Sequence, residues 1–532
     1  SQDGTRYAGT TDANPETLAN QFDNAGNDFI DAHGASETVA LYGGEGNDRI
    51  WGGDAGDIIA GGSGDDEIHG TGGTDFIYGD SGLNVDPITR VMTVPTVNES
   101  DKPNRDELEV GDDTIYGDDG EDIVFGDHGI ITLVDPDAAL WTATHSAILQ
   151  IETAVINVGG DDIIYGGAGA DILMGGSNRL DGENRGGDAI DGGTGDDLIF
   201  GDNAVLQHRA AGTGQTADPR IRTLDGTELY DGNGGIAGNS EVTSGHPQIE
   251  ASWAEYEIVY LDHSFAIEEA GARNFGNDYL AGGADDDTIF GQLGDDVIQG
   301  DGGIGDGING RVGAGRNAAG ELVLAASTES ASDGDDYIEG NGGKDVIFGN
   351  LGQDDIVGGS SSLFSLVGDD QRPDDEDFLI GGSGQRMYRN YQVADDNNPD
   401  TIVLDSVHAE DSDAIAGDNA NIYRIVGVDG VDTGAFLSFE YDANRGPESI
   451  VVRAVDLLDY TPGGIDYDAD AADDIGASDE IHGESGDDFI YGMVGNDVLF
   501  GDSEDDDIVG GYGQDWISGG TGSDGVLGDD GR

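Results

Sequence analysis

Aspartate recurs every nine residues along much of this chain, and an aspartate set among glycines at that spacing can hold a hard cation in a tight turn. Residues 43–78 divide into GGEGNDRIW, GGDAGDIIA, GGSGDDEIH and GTGGTDFIY, with Asp48, Asp57, Asp66 and Asp75 in one register. The register returns at Asp113 and Asp122, Asp162 and Asp171, Asp188 and Asp197, Asp278, Asp287 and Asp296, and Asp336, Asp345 and Asp354. The longest run is Asp479, Asp488, Asp497, Asp506, Asp515 and Asp524, while Asp28, Asp377 and Asp413 read as isolated or slipped copies. A carboxylate among turn carbonyls suits Ca²⁺, which takes six to eight oxygens at about 2.3–2.6 Å; Mg²⁺ is stricter about geometry and keeps its waters. With no Cys and only scattered His, a softer metal lacks ligands. Multiple Ca²⁺ ions are the expected cofactor, and the in-register aspartates their expected ligands.

The elements that must position these residues follow from the rest of the nonamer. Glycine permits the tight, left-handed backbone that a side chain would block. Two residues after each aspartate stands Ile, Val or Leu, as in Ile50, Ile68, Ile490 and Leu499. One aliphatic per nonamer at a constant phase builds an apolar ladder when turns stack. Two nonamers make one coil, with strands about 4.8 Å apart, so the last six nonamers rise about 14 Å. Stacking then sets Asp48 beside Asp66, Asp57 beside Asp75 and Asp479 beside Asp497. The expected fold is all-β, an elongated parallel β-roll in several blocks interrupted by β-hairpin inserts. Asp also caps ordinary Gly-rich turns, but that role does not require a fixed phase with an aliphatic at a fixed offset.

These nonamers resemble G-G-x-G-x-D-x-U-x, the repeat of the RTX (repeats-in-toxin, haemolysin-type) calcium-binding proteins. The resemblance implies a right-handed β-roll with Ca²⁺ between turns. It also implies type I secretion, with folding once the chain meets external calcium, and hence a secreted, extracellular or cell-surface location. The sequence departs from the family pattern in its many long inserts and in stopping within a repeat-like segment, Gly528–Arg532, without a C-terminal secretion signal. With no initiator Met and no apolar leader after Ser1, the expectation is a piece of a longer chain or a processed form.

Charge sharpens the same conclusion. The chain carries 111 Asp+Glu against 21 Lys+Arg, a net charge of −90, with 36% hydrophobic residues. Nucleic acid is excluded as an ordinary partner, because phosphate binding needs a basic footprint. No apolar run approaches the roughly 18 residues of a membrane helix. Such self-repulsion opposes a compact state unless cations neutralise it, and without Cys no disulfide can help.

The expected organisation is a lead-in with one isolated repeat at 1–42, repeat blocks at 43–80, 113–128, 159–202, 275–309, 333–359 and 479–532, and inserts between them. The inserts span 81–112, 129–158, 203–274, 310–332 and 360–478. Blocks leave through a shared tetrad, Gly126-Asp127-His128-Gly129, Gly201-Asp202-Asn203-Ala204 and Gly417-Asp418-Asn419-Ala420, with Gly79-Asp80-Ser81-Gly82 a looser copy. Alternating stretches at Ile130–Val134, Ile148–Val158 and Ile450–Val455 read as strands, and Phe436–Tyr441 with Ile450–Val455 as a hairpin.

Catalytic signatures are missing: there is no H-E-x-x-H, no two His residues lie four apart, and there is no G-x-S-x-G. Asp80-Ser81 is read as an exit turn, His128 as a turn residue in the place of Asn203 and Asn419, and His145, His246 and His263 as surface or packing residues. Asp374–Asp377 is read as a solvated or calcium-attracting loop. Trp51, Trp141, Trp253 and Trp516 do not cluster. The expected function is an extracellular, non-enzymatic, calcium-binding structural or cell-surface protein, an S-layer, adhesin, matrix or filament component that binds a surface partner or itself. The alternative is the calcium-folded carrier region of a larger secreted enzyme or toxin. On this reading Asp497→Ala, in the longest block, costs more calcium-induced order than Asp413→Ala.

Overall fold

The computed structural model describes residues 26–80, 110–133, 147–154, 156, 158–180, 183–184, 186–208, 219–223, 253, 256–261, 263–270, 275–305, 311–385, 392–395, 398–404, 411–427, 436–439, 449–464 and 469–530. They form a parallel β-roll of two 13-stranded sheets. The first sheet runs from Phe29–Asp31 to Trp516–Ser518, and the second from Ala40–Glu45 to Gly525–Leu527. At about 4.8 Å per strand the stack is about 60 Å long. The repeat blocks of the sequence are thus a single roll, since strands on either side of an insert pair as neighbours. Glu67–Gly72 pairs in parallel with Thr114–Asp119, and Phe378–Ile380 with Glu480–His482.

Each strand carries an x-U-x triplet whose centre points between the sheets. Ile50, Ile68, Ile115, Ile164 and Ile190 from one sheet meet Ile59, Ile77, Val124, Leu173 and Ile199 from the other, all fully buried. One aliphatic per nonamer fills the interior, as the phase requires. The two flanking residues point outward, and their composition differs between the sheets. On the second sheet the early coils carry apolar pairs: Phe76 and Tyr78, Ile123 and Phe125, Ile172 and Met174, Leu198 and Phe200. On the first sheet the early coils carry Arg49 and Trp51, then Glu67 and His69, and Trp51, His69, Tyr116 and Tyr165 stack face to face with centroids 4.4–5.1 Å apart.

The apolar outer face is covered by the inserts. A four-stranded antiparallel sheet joins Gly129–Leu133 and Ile148–Thr153 to Ala204–His208 and Tyr256–Tyr260. Its Ile148, Ile151, Leu206 and Ile258 pack on the roll. A three-stranded sheet combines Ile221–Thr223 with Ala420–Val426 and Arg453–Leu457. Each cover sheet draws strands from two inserts, so the inserts form one layer rather than separate hairpins. Ser438–Phe439 pairs antiparallel with Ile450–Val451 at the expected hairpin. On the first sheet, the hairpin Gly313–Arg316 with Leu322–Ala325 covers Phe348 and Ile380.

Candidate metal centres in the turns

The aspartates line up in two files, one along each edge of the roll. In the first, the Asp48 amide donates to Asp66 Oδ1 at 2.6 Å, the Asp66 amide to Asp113 at 2.8 Å, and the Asp113 amide to Asp162 at 2.7 Å. The file continues through Asp188, Asp278, Asp296, Asp345, Asp377, Asp479, Asp497 and Asp515. In the second, Asp57 bonds to Asp75 in the same way, followed by Asp122, Asp171, Asp197, Asp287, Asp336, Asp354, Asp413, Asp488 and Asp506. The expected pairs Asp48–Asp66, Asp57–Asp75 and Asp479–Asp497 are neighbours. Asp524 lies beyond Asp506, opposite Gly519.

Each carboxylate thus spends Oδ1 on the neighbouring turn. Along most of both files the buried Oδ2 has no hydrogen-bond partner, from Asp48, Asp66 and Asp75 to Asp488, Asp497 and Asp506. A buried polar atom left unpaired is costly. Burial pushes these carboxyls up, Asp66 and Asp497 to about 8 and Asp506 to about 9. The glycine five residues ahead shapes the cradle. A Cβ on Gly61 would collide with Asp66 Oδ2 and with the Gly79 carbonyl of the next coil, and the same holds at Gly340 with Asp345 and Gly358. Oδ2 and a neighbouring carbonyl therefore face one small space, a donor set that fits a hard divalent cation. Among the described residues no three carboxylate or imidazole groups gather at one point, so such an ion would draw on main-chain carbonyls as well.

Asp377 and Asp413, which look slipped in the sequence, occupy regular places in the files, and the Asp28 amide starts the first by donating to Asp48. The reason is where the inserts lie. Gly79 faces Asp113, Gly126 faces Asp162, Gly201 faces Asp278, Gly358 faces Asp377, Gly381 faces Asp413 and Gly417 faces Asp479. These are the contacts that Gly61 makes with Asp66 in a continuous turn. Inserts are lodged inside the turn, between the glycine and its aspartate, and the strands run on without interruption.

Other candidates have structural places. His263 is buried in the cover layer, donates from Nδ1 to the Gln371 carbonyl at 2.8 Å, and burial lowers its pKa to about 4. Trp253 donates to the Asp196 carbonyl at 2.6 Å. His128 is buried in its exit turn. Trp141, His145 and His246 lie outside the described residues.

The family model for the RTX calcium-binding nonapeptide repeat matches residues 40–68, 51–85, 109–130, 159–179, 274–305, 330–362, 476–508 and 500–532. The matched segments are RTX calcium-binding nonapeptide repeats. RTX nonapeptide repeats bind Ca²⁺, and the matched segments hold most of the two files. Asp188, Asp197, Asp377 and Asp413 fall outside the matches, yet they share the RTX turn geometry. The comparison with curated proteins gives no match. No described helix is long and apolar enough to cross a membrane.

Proposed function

We propose that this RTX chain is a secreted, non-enzymatic structural or cell-surface component that folds, and then assembles, on binding many calcium ions through the aspartates of the two files. The observation that carries the reading is the pair of files themselves. Like-charged carboxylates are stacked coil upon coil with their second oxygens buried and unpaired, an arrangement that repels itself until cations enter it. The binding free energy is then folding free energy, because the site has no counterpart in the unfolded chain. Extracellular calcium modules bind at about 10⁻⁴–10⁻³ M, so the chain would stay loose in a cell and order itself outside. A single roll with inserts laid over it as a second layer suits a scaffold, and a cell-surface layer or filament is the assembly we favour.

Sedimentation velocity in chelator and then in millimolar calcium tests this. The expected result is compaction followed by large, regular, reversible assemblies visible by electron microscopy. A compact monomer at every protein concentration would instead favour the carrier region of a larger secreted enzyme or toxin. No change with calcium would sink the reading.

A further inference from the structure

The tetrads at which the chain leaves the roll have an aspartate directly after the turn glycine: Asp80, Asp127, Asp202 and Asp418, with Asp301 in the same position. Continuous turns contain the same dipeptide at Gly117-Asp118 and Gly501-Asp502, but there the aspartate has φ 72° and 70° and its side chain meets a histidine on the outer face, His69 or His482. None of the five exit aspartates has a positive φ, and all are buried at the root of an insert. Four of them close that root in the same way. The amide two residues ahead of the returning file aspartate donates to the exit aspartate: Gly111 to Asp80 at 2.9 Å, Gly160 to Asp127 at 2.9 Å, Gly334 to Asp301 at 3.1 Å and Ala477 to Asp418 at 2.8 Å.

Each exit aspartate therefore lies beside a file aspartate whose Oδ2 is buried and unpaired, Asp113, Asp162, Asp278, Asp336 or Asp479. Asp301, itself fully buried, adds a second unpaired Oδ2. The Asp374 carboxyl hydrogen-bonds to Asp418, so the loop that looks merely acidic in sequence reaches the root of an insert. We propose that these split turns are a second class of cation site, in which the exit carboxylate joins that of the file aspartate, and that they take up calcium first. The inference rests on the reading that the file turns bind calcium. Affinity in oxygen sites rises with the number of charged ligands, and an ion shared by the two limbs of a split turn closes the whole insert, offsetting its loop entropy. Calcium would then seat the cover layer before it completes the roll.

Calcium isotherms by equilibrium dialysis test this on the full chain, comparing wild type, an Asp127→Asn/Asp418→Asn double variant and Asp66→Asn in a continuous turn. Asn keeps an oxygen for the amide of Gly160 or Ala477, removes the charge, and gives up the second bond, from the Ser177 or Val494 amide. We expect two affinity classes in wild type, sites weakened about tenfold in the double variant, and loss from the weaker class in Asp66→Asn. Hydrogen exchange on wild type at limiting calcium needs no variant: Ala204–His208 and Ala420–Val426 should gain protection before Val498–Phe500. One affinity class with simultaneous protection, or a double variant that binds as wild type does, would overturn the proposal and leave calcium binding intact. A wild type that binds no calcium would overturn the underlying reading instead.

Discussion

At the scale of single residues, the notable group is an aspartate whose two oxygens do different work. Oδ1 ties one turn to the next, and Oδ2 faces a glycine and a carbonyl. Burial raises these carboxyls, Asp75 and Asp413 to about 8 and Asp479 to about 7, against about 3.9 in an unfolded chain. Between those values the calcium-free roll holds protons that the unfolded chain has shed, so its stability falls as pH rises from about 4 to about 8. In chelator, circular dichroism should accordingly show more order at pH 5 than at pH 8. In millimolar calcium the ion replaces the proton and the advantage of acid should vanish. Order that grows with pH in chelator would contradict this account of the files.

At the scale of elements, the scarce cations secure the cover layer. Asp355 stands on the outer face of the second sheet, fully buried, with Arg424 Nε at 2.7 Å, Arg453 Nε at 3.0 Å and Arg220 at 4.0 Å. Burial raises its pKa, but the three guanidinium groups outweigh that and hold it below the usual carboxylate range. Arg372 makes a second bolt, paired to both oxygens of Asp459 at 2.6 and 2.8 Å. Asp355→Ala would strand buried guanidinium groups at a cost of about 3–5 kcal/mol. Hydrogen exchange should then show lost protection in Ala420–Val426 and Arg453–Leu457 while the two files keep theirs. Unchanged protection in those strands would mean that apolar packing alone docks the sheet.

At the scale of the whole molecule, a roll is nearly one-dimensional, and each coil is stabilised by its two neighbours. Asp413 lies inside the stack, between Asp354 and Asp488, whereas Asp497 lies one coil from the last described turn of its file. A break at Asp413 divides the roll, and one at Asp497 frays an end. In a calcium titration followed by circular dichroism, Asp413→Ala should therefore cost at least as much cooperative order as Asp497→Ala, reversing what the run lengths suggest. A larger loss at Asp497 would show that the C-terminal run orders independently of the rest.

The nine-residue phase alone determined the local unit: a glycine turn, one aspartate, one inward aliphatic, and the stacking of alternate turns. Those interactions are short-range or repeat identically, so they are written into each nonamer. Even the covered face left a trace, since triplets such as Phe76-Ile77-Tyr78 are apolar throughout, whereas Glu67-Ile68-His69 is not. Only the tertiary structure decided that the blocks join into one roll, because strand pairing depends on proximity across coils and not on the length of chain between them. The same freedom hid Asp377 and Asp413: with the insert inside the turn, glycine and aspartate keep their contact while their spacing in the sequence is lost. It also decided the sharing of cover sheets between inserts and the inward turn of the exit aspartates, where the hand of the backbone, not the Gly-Asp dipeptide, sets the direction of the side chain.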